Sequence, residues 1–72
     1  MSKRNANEIV LRLRMIRRMQ DVTHRELAAR SGYHAVSFSR WENGRAVPNL
    51  EHVIDWADAL GYELTIKAKG EE

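Results

Sequence analysis

The residues of this 72-residue chain that carry chemistry are mainly basic side chains, with few candidates for catalysis or metal binding. Cysteine is absent, His24 and His34 lie ten positions apart, and His52 stands alone, so the histidines do not match the spacing of a metal site. There is no activated nucleophile, carboxylate pair or glycine-rich phosphate loop in the sequence. The sequence therefore predicts a binding protein that is not an enzyme and that uses no metal or cofactor.

The basic residues are concentrated in the first two-thirds of the chain, which the net charge of +2 conceals. Up to and including Arg45, ten Lys and Arg residues stand against four acidic residues, which leaves a charge of +6. The remainder has two lysines and six acidic residues, a charge of −4. Such asymmetry is typical of a surface that binds a polyanion, although scattered solvated charge gives the same count.

Length and composition indicate one small globular domain. A chain of 72 residues holds a single core, and 43% hydrophobic with 31% charged residues argues against disorder. Because so small a core is marginally stable, dimerisation is a plausible support. The absence of cysteine favours a reducing cytoplasm, and arginines interrupt every apolar run in residues 9–16, which argues against a membrane span or a secretory signal.

Apolar spacing predicts a first helix after a short basic arm. Residues 1–6 lack periodicity and are predicted to be flexible, with Lys3 and Arg4 supplying positive charge. From about Asn7 to near Gln20, apolar residues recur every three or four positions, which is typical of an amphipathic helix. Its expected buried stripe consists of Ile9, Leu13, Ile16 and Met19, with Val10 beside it.

Two short helices joined by a glycine are predicted next. Thr23 and Glu26 have the spacing of a capping box, which starts a second helix. Gly32 is predicted to end it in a left-handed cap, and a third helix runs from about His34 to Glu42. Two short helices around a tight turn are the pattern of a helix-turn-helix, although an ordinary helical hairpin has the same spacing.

The rest of the chain predicts a fourth helix and then a single strand. Asn49 is a favourable N-cap and Gly61 a favourable C-terminal cap. The expected buried stripe of this helix consists of Leu50, Val53, Ile54, Ala57 and Leu60, with Trp56 flanking it. Beyond Gly61 the apolar residues Tyr62, Leu64 and Ile66 alternate with polar ones, which predicts a strand. Because a lone strand cannot satisfy its own backbone, it is expected to pair with another molecule unless it folds back or frays.

Residues of a known pattern are spread over the four predicted helices. They are Val22-Thr23, Glu26-Leu27-Ala28, Ser31-Gly32, Phe38-Ser39-Arg40-Trp41-Glu42-Asn43-Gly44, Pro48 and Ala57-Asp58-Ala59-Leu60-Gly61. Together they closely resemble the phage repressor and Cro family of transcription regulators, over roughly residues 9–61. The resemblance implies an all-α, lambda-repressor-like four-helix DNA-binding domain with one short C-terminal β-strand. The implied organisation is an arm (1–6), a helix-turn-helix domain (7–61), a dimerisation strand (62–68) and a tail (69–72).

The resemblance also implies which residues touch DNA, because in that family the second helix of the motif lies in the major groove and the first crosses the backbone. The implied DNA-binding residues are Thr23, His24, Ala35, Val36, Ser37, Arg40, Asn43 and Arg45. Ser39 joins them because it and Ser37 flank Phe38 and point away from its buried side, where either hydroxyl could donate to phosphate or simply face solvent. The implied core residues are Leu13, Ile16, Val22, Leu27, Ala28, Tyr33, Phe38 and Trp41.

Arg40 is the leading candidate for reading a base, because its guanidinium can donate twice to guanine O6 and N7. A phosphate contact or a solvated side chain is the alternative. Ala35 and Val36 stand where the family usually has polar residues, so they are expected to pack on thymine methyl groups, unless Val36 fills a gap in the core. Arg45 is expected to contact phosphate or remain solvated, and His34, which replaces the usual serine or threonine cap, predicts a weaker start to the third helix.

Other implied roles are structural. Arg17 matches a first-helix arginine that commonly pairs with the glutamate before Asn-Gly, here Glu42, and this pair is expected to lock the first helix against the third. Trp41 and Trp56 lie on apolar stripes, so they are expected in the core rather than as stacking platforms for unpaired bases.

The C-terminal strand resembles that of a subset of the family, including some antitoxin-type regulators, in which twin strands pair across a two-fold axis. Tyr62, Leu64 and Ile66 are then the expected dimer interface. The leading hypothesis is a cytoplasmic homodimer that binds a palindromic double-stranded DNA operator and represses transcription by occupying it. The alternative, motivated by the acidic last third, is an antitoxin that neutralises a partner toxin and regulates its own operon.

Overall fold

The computed structural model describes residues 6–70, in which four α-helices form the whole regular structure. They are α1 (Ala6–Met19), α2 (His24–Ser31), α3 (Ala35–Glu42) and α4 (Leu50–Ala59). The predicted all-α arrangement of four helices is confirmed, with each boundary within a residue or two of its expected position. The flexible arm predicted for residues 1–6 lies outside the described residues except at Ala6, which begins α1.

The core forms where α2 and α4 meet the inner sides of α1 and α3. Its buried residues are Val10, Leu13, Val22, Leu27, Phe38, Trp41, Val53, Trp56, Ala57 and Leu60. Phe38 lies edge-on to both tryptophans, with ring centroids 5.2 Å from Trp41 and 5.4 Å from Trp56. Edge-to-face pairs of this kind contribute about 0.5 to 1.5 kcal/mol each beyond the area they bury. The aromatic cluster therefore fixes α3 on α4, and the expectation that both tryptophans pack in the core is confirmed.

Two of the predicted stripes are rotated relative to the observed core. On α4, Leu50 and Ile54 are exposed, and the buried face instead includes Trp56, which is fully buried. At about 100° per residue, Trp56 shares a face with Val53 and Leu60, whereas Leu50 and Ile54 lie to one side. The larger side chain of Trp56 occupies the core position. Apolar spacing alone cannot predict this choice, because both faces of α4 are apolar.

The same correction applies to α1. Ile9 and Met19 are exposed, while Val10, predicted only to flank the stripe, is buried beside Leu13. Ile16 is partly buried against the core. The side of α1 that packs against the other helices therefore includes Val10, Leu13 and the polar Arg17. Because Arg17 occupies an inward-facing position, the spacing of apolar residues alone predicted the wrong buried face.

Side-chain caps fix where the helices start. Thr23 accepts a hydrogen bond from the Glu26 amide at 3.0 Å while the Glu26 carboxylate accepts one from the Thr23 amide at 2.8 Å, so the predicted capping box is confirmed. Asn49 and His52 make the equivalent reciprocal pair at α4. His34 precedes α3 without any side-chain cap bond, as its replacement of serine or threonine predicted.

The chain reverses between helices at residues with positive φ. Gly32, with φ of 85°, ends α2 and donates its amide to the Ala28 carbonyl at 2.9 Å, so the predicted left-handed cap is confirmed. Asp21, in the turn between α1 and α2, has φ of 56° although it carries a side chain. Aspartate tolerates this region better than most residues but less well than glycine.

Residues 62–68 follow α4 without regular secondary structure, and no strand occurs within residues 6–70. Tyr62 is tied to the end of α4 by its amide, which donates to the Ala57 carbonyl at 2.9 Å. Leu64 is exposed, and Ile66 is 97% exposed. The strand predicted here is therefore not formed by one copy of the chain alone.

Candidate nucleic-acid interface

The outward face of α3 carries a short stripe of exposed side chains. Val36, Arg40 and Asn43 follow one another at spacings of four and three, directly opposite the buried Phe38 and Trp41. Val36 is 62% exposed, so the alternative in which it fills a gap in the core is wrong. The stripe combines an apolar contact, a planar cation and an amide, the three kinds of group that read base edges in the major groove.

The flanks of this stripe are half-buried. Ala35, Ser37 and Ser39 all keep part of their surface accessible. Ser39 Oγ lies 3.4 Å from Asn43 Nδ2, a long hydrogen bond that leaves the hydroxyl proton available to another acceptor. Ser37 and Ser39 therefore offer short donors on opposite sides of the stripe.

The turn after α3 holds one more exposed cation. The Arg45 amide donates to the Arg40 carbonyl at 2.8 Å, which folds the turn back on the end of α3. Gly44 has φ of 74°, and the turn needs glycine for that reason. The Arg45 side chain is exposed beside the C-terminal end of α3, so Arg40 and Arg45 give that end two positive charges.

Arg17 and Glu42 form a hydrogen-bonded ion pair between α1 and α3. Arg17 Nε donates to Glu42 Oε2 at 2.7 Å and Nη2 donates to Oε1 at 2.9 Å. A third bond runs from Arg17 Nη1 to the Val22 carbonyl at 2.7 Å. The two side chains are only 11% and 4% exposed, so this arginine is used inside the fold and adds little to the exposed positive charge.

His24 joins the same cluster, which the sequence did not predict. Its Nε2 is buried and lies 3.1 Å from Glu42 Oε1, so the ring is turned toward the protein and only its remaining edge reaches solvent. An ionised carboxylate can only accept hydrogen bonds, so this geometry favours a proton on Nε2. No spacing rule links His24 to Glu42, since they lie on different helices. His24, which the resemblance implies is a DNA-binding residue, therefore also has a role in the fold.

Glu42 remains ionised despite its burial. Burial alone raises the pKa of a carboxyl group, but the hydrogen bonds and charge of Arg17, with the nearby His24 ring, outweigh it and lower the pKa of Glu42 below its usual value. Arg14 adds a more distant cation, with Nε 3.9 Å from Glu42 Oε1. One carboxylate on α3 thus gathers cationic groups from α1 and a histidine from α2, and so fixes the position of α3.

Thr23 is exposed to solvent and also takes part in the capping box at the start of α2. Its hydroxyl oxygen accepts from the Glu26 amide at 3.0 Å. The amide of Thr23 donates to the Glu26 carboxylate at 2.8 Å, and this bond, with a side-chain hydrogen bond from Thr23 to the same carboxylate, lowers the pKa of Glu26. The start of α2 is therefore held by two reciprocal hydrogen bonds.

A second polar pair connects the turn between α2 and α3 to α4. Tyr33 Oη donates to Asp55 Oδ2 at 2.5 Å, and this bond raises the pKa of Tyr33 to about 12. His52 stacks on Trp41 with ring centroids 4.7 Å apart. Both contacts are structural, and neither could be predicted from the sequence because the partners lie on separate elements.

Within residues 6–70, no group of three or more His, Asp or Glu side chains is placed to hold a metal ion. None of the helices described is long and apolar enough to cross a membrane.

Comparison with known proteins identifies the family of this four-helix domain. A family model described as a helix-turn-helix domain matches residues 8–65. The chain belongs to the helix-turn-helix domain family. This helix-turn-helix chain is also 38% identical over 61 residues to an uncharacterized HTH-type transcriptional regulator, y4dL, of Sinorhizobium fredii. That match covers 85% of the chain but only 31% of the relative, so the chain spans about a third of the relative's length.

Among solved structures, the helix-turn-helix chain is similar to one titled MDT Protein. The two superpose with a TM-score of 0.81 over 96% of this chain and 97% of the other. Their sequences are 17% identical, so the likeness establishes a shared fold and carries no statement about function.

Proposed function

We propose that the chain is a sequence-specific double-stranded DNA-binding transcription regulator that inserts α3 into the major groove. Membership of the helix-turn-helix family and the name of its relative support DNA-binding transcription regulation. The observation that carries the finer proposal is the exposed stripe of Val36, Arg40 and Asn43 on a helix whose other side is buried.

Base reading is assigned to two residues of that stripe. Arg40 donates to guanine O6 and N7, a contact worth about 1 to 3 kcal/mol of discrimination against other bases. Val36, with Ala35 beside it, packs on the C5-methyl groups of thymine, which its 62% exposure permits. The proposed half-site therefore contains a guanine next to one or two A·T pairs.

Backbone contacts are assigned to the polar residues around the stripe. Arg45 pairs with phosphate, and hydroxyl or amide groups donate to phosphate oxygens from Thr23, Ser37, Ser39 and Asn43. The accessible edge of His24 faces the backbone near the start of α2, where the helix dipole favours an anion. Such contacts fix the register of α3 without selecting a sequence.

The proposed active form is a homodimer held by its C-terminal segments. Tyr62, Leu64 and Ile66 are exposed in one copy, and their alternation with polar residues suits a strand with one apolar face. Antiparallel pairing with a second copy satisfies the backbone and covers these side chains. Two recognition helices about 34 Å apart then match the half-sites of a palindromic operator, and repression follows from occupying it.

A proline substitution tests this strand without touching the folded domain. Thr65→Pro removes a backbone donor and disfavours pairing, whereas Thr65→Val keeps β-propensity. We expect sedimentation to show a weaker dimer for Thr65→Pro and an unchanged one for Thr65→Val. Equal dimerisation by both variants would contradict the strand interface.

A second candidate function is that of an antitoxin which neutralises a protein partner and uses DNA binding for autoregulation. The net charge of −4 after Arg45 and the exposed segment 62–68 favour it, because neither feature suits contact with DNA. An adjacent toxin reading frame and a stoichiometric complex on purification from the host support it, and purification without such a partner counts against it.

Selection of bound DNA from a random pool tests the main proposal. We expect an enriched palindrome, with affinity that falls steeply as salt increases because counterions are released from phosphates. Arg40→Ala should shift the enriched base at one position per half-site. A pool without an enriched motif, or an affinity indifferent to salt, would overturn the proposal.

A further inference from the structure

The outer face of α1 is apolar although it lies away from the core. Leu11, Met15 and Met19 recur every four residues and are 53%, 57% and 75% exposed. Val10 and Leu13 occupy the opposite side of the same helix and are buried. Contiguous exposed apolar side chains, unlike scattered single ones, are typical of an interaction surface.

This row forms one wall of a shallow groove. The groove holds about 430 Å³ and is lined by Leu11, Arg14, Met15, Arg18 and Met19. Arg14 and Arg18 are four residues apart and run along one edge of the apolar row. At about 100° per residue, the exposed Arg12 lies along the other edge of the row, and the exposed Glu8 lies at its N-terminal end. The surface therefore combines adaptable thioether side chains with arginines on both edges and a net positive charge.

A second face of the chain has the complementary character. On α4, Leu50 and Ile54 are exposed, and the acidic residues Glu51 and Asp58 are exposed beside them. At about 100° per residue these four side chains fall within one third of the helix circumference. An apolar row with acidic residues beside it on α4 thus complements an apolar row with a net positive charge beside it on α1.

We propose that the outer face of α1 binds the outer face of α4 of a second copy of the chain. Like faces are a poor match, because two α1 faces bring arginines together and two α4 faces bring carboxylates together. DNA fits poorly as well, since Leu and Met offer nothing to phosphate. The contact buries exposed apolar surface on both helices and pairs Arg18 with the acidic edge.

The proposal deepens the homodimer of the proposed function by adding an interface separate from the C-terminal strand. It makes no use of Tyr62, Leu64 or Ile66, and the two contacts can be broken independently. Charge reversal on α1 or α4 probes this interface, while Thr65→Pro probes the strand, so failure of one leaves the other standing.

Charge exchange on the full chain gives the decisive test. Arg18→Glu on α1, or Glu51→Arg with Asp58→Arg on α4, places like charges across the contact. We expect each change alone to weaken self-association about tenfold in sedimentation at low salt. The chain that carries all three changes restores opposite charges and should recover most of the wild-type association.

Controls separate this result from general effects of charge. Arg25→Glu reverses an exposed arginine of α2 outside both faces and should leave self-association unchanged. Met15→Ser keeps every charge and removes apolar contact, so it should weaken association at low and high salt alike. Thermal unfolding by circular dichroism checks that each variant folds, since all the altered side chains are exposed.

Recovery in the three-change chain, with Arg25→Glu silent, supports the contact between α1 and α4. Three results would overturn it. They are unchanged association in the single-face variants, an equal loss with Arg25→Glu, and no recovery when the reversals are combined in a folded chain.

Discussion

The two sides of α3 differ in burial and in what they contact. Its inner side is held by Phe38, Trp41 and Glu42, all buried and in contact with other helices. Its outer side shows Val36 and Arg40 to solvent. The inner residues decide where the helix lies and the outer residues decide what it meets, so substitutions on the two sides should affect different measurements.

The largest expected effect is on the inner side. Arg17→Met leaves Glu42 buried without its main partner, and breaking a buried pair costs about 3 to 5 kcal/mol. A 72-residue domain has roughly 4 to 11 kcal/mol in total, so this variant should lose a large fraction of its free energy of unfolding. Urea unfolding followed by circular dichroism measures the loss.

Arg18→Met is the matched control, because it removes an exposed arginine one residue along the same helix. We expect it to change the free energy of unfolding by less than about 0.5 kcal/mol. Similar unfolding midpoints for the two variants would show that the ion pair does not hold α3 in place.

Acid should destabilise the domain through the same carboxylate. The pKa of Glu42 is lowered in the folded state, so its contribution is present above the usual value of 4.5 and is lost as the pH falls through the lowered pKa. Unfolding midpoints should therefore drop below about pH 4.5 in the wild type. Glu42→Gln should be less stable at neutral pH and lose less on acidification, and parallel pH profiles for the two proteins would contradict this.

On the outer side, Arg40→Ala should change DNA selection and leave folding intact. We expect a loss of about 1 to 3 kcal/mol of discrimination at one position per half-site, with little change in unfolding. Arg45→Ala is the comparison, since a phosphate contact should weaken all sequences alike and reduce the salt slope by about 1. If Arg40→Ala weakens every sequence equally, Arg40 is a backbone contact.

The smallest expected effect concerns Val36. Replacing thymine by uracil in the selected operator removes only the C5-methyl group, and we expect wild-type binding to fall by about 0.8 kcal/mol. Val36→Ala should bind thymine and uracil operators alike, because it lacks the contacting methyl groups. An undiminished preference for thymine in that variant would assign the methyl contact to another residue.

Local chemistry made much of the fold predictable. The capping box of Thr23 and Glu26 and the left-handed Gly32 act within a few residues, so the helix boundaries could be placed from spacing alone. The choice of buried face could not, because Trp56 competes with Leu50 and Ile54, and packing against α3 decides between them.

The candidate site also has features that could be predicted from the sequence and features that could not. Exposure of Val36 and Arg40 follows from helical geometry once Phe38 is buried, and the resemblance to a family supplied the pairing of Arg17 with Glu42. The contact between His24 and Glu42 joins separate helices and depends on their packing, so it was missed. The segment 62–68 was predicted as a strand because alternation describes side chains, whereas a strand also needs a backbone partner.

The three bonds of Arg17 have a practical consequence for engineering. They end on Glu42 and on the Val22 carbonyl, and none involves positions 35, 36 or 40. A library randomised at those three positions should therefore yield folded members at high frequency, each with its own operator preference. The domain can serve as a scaffold whose specificity is rewritten at low risk to its architecture.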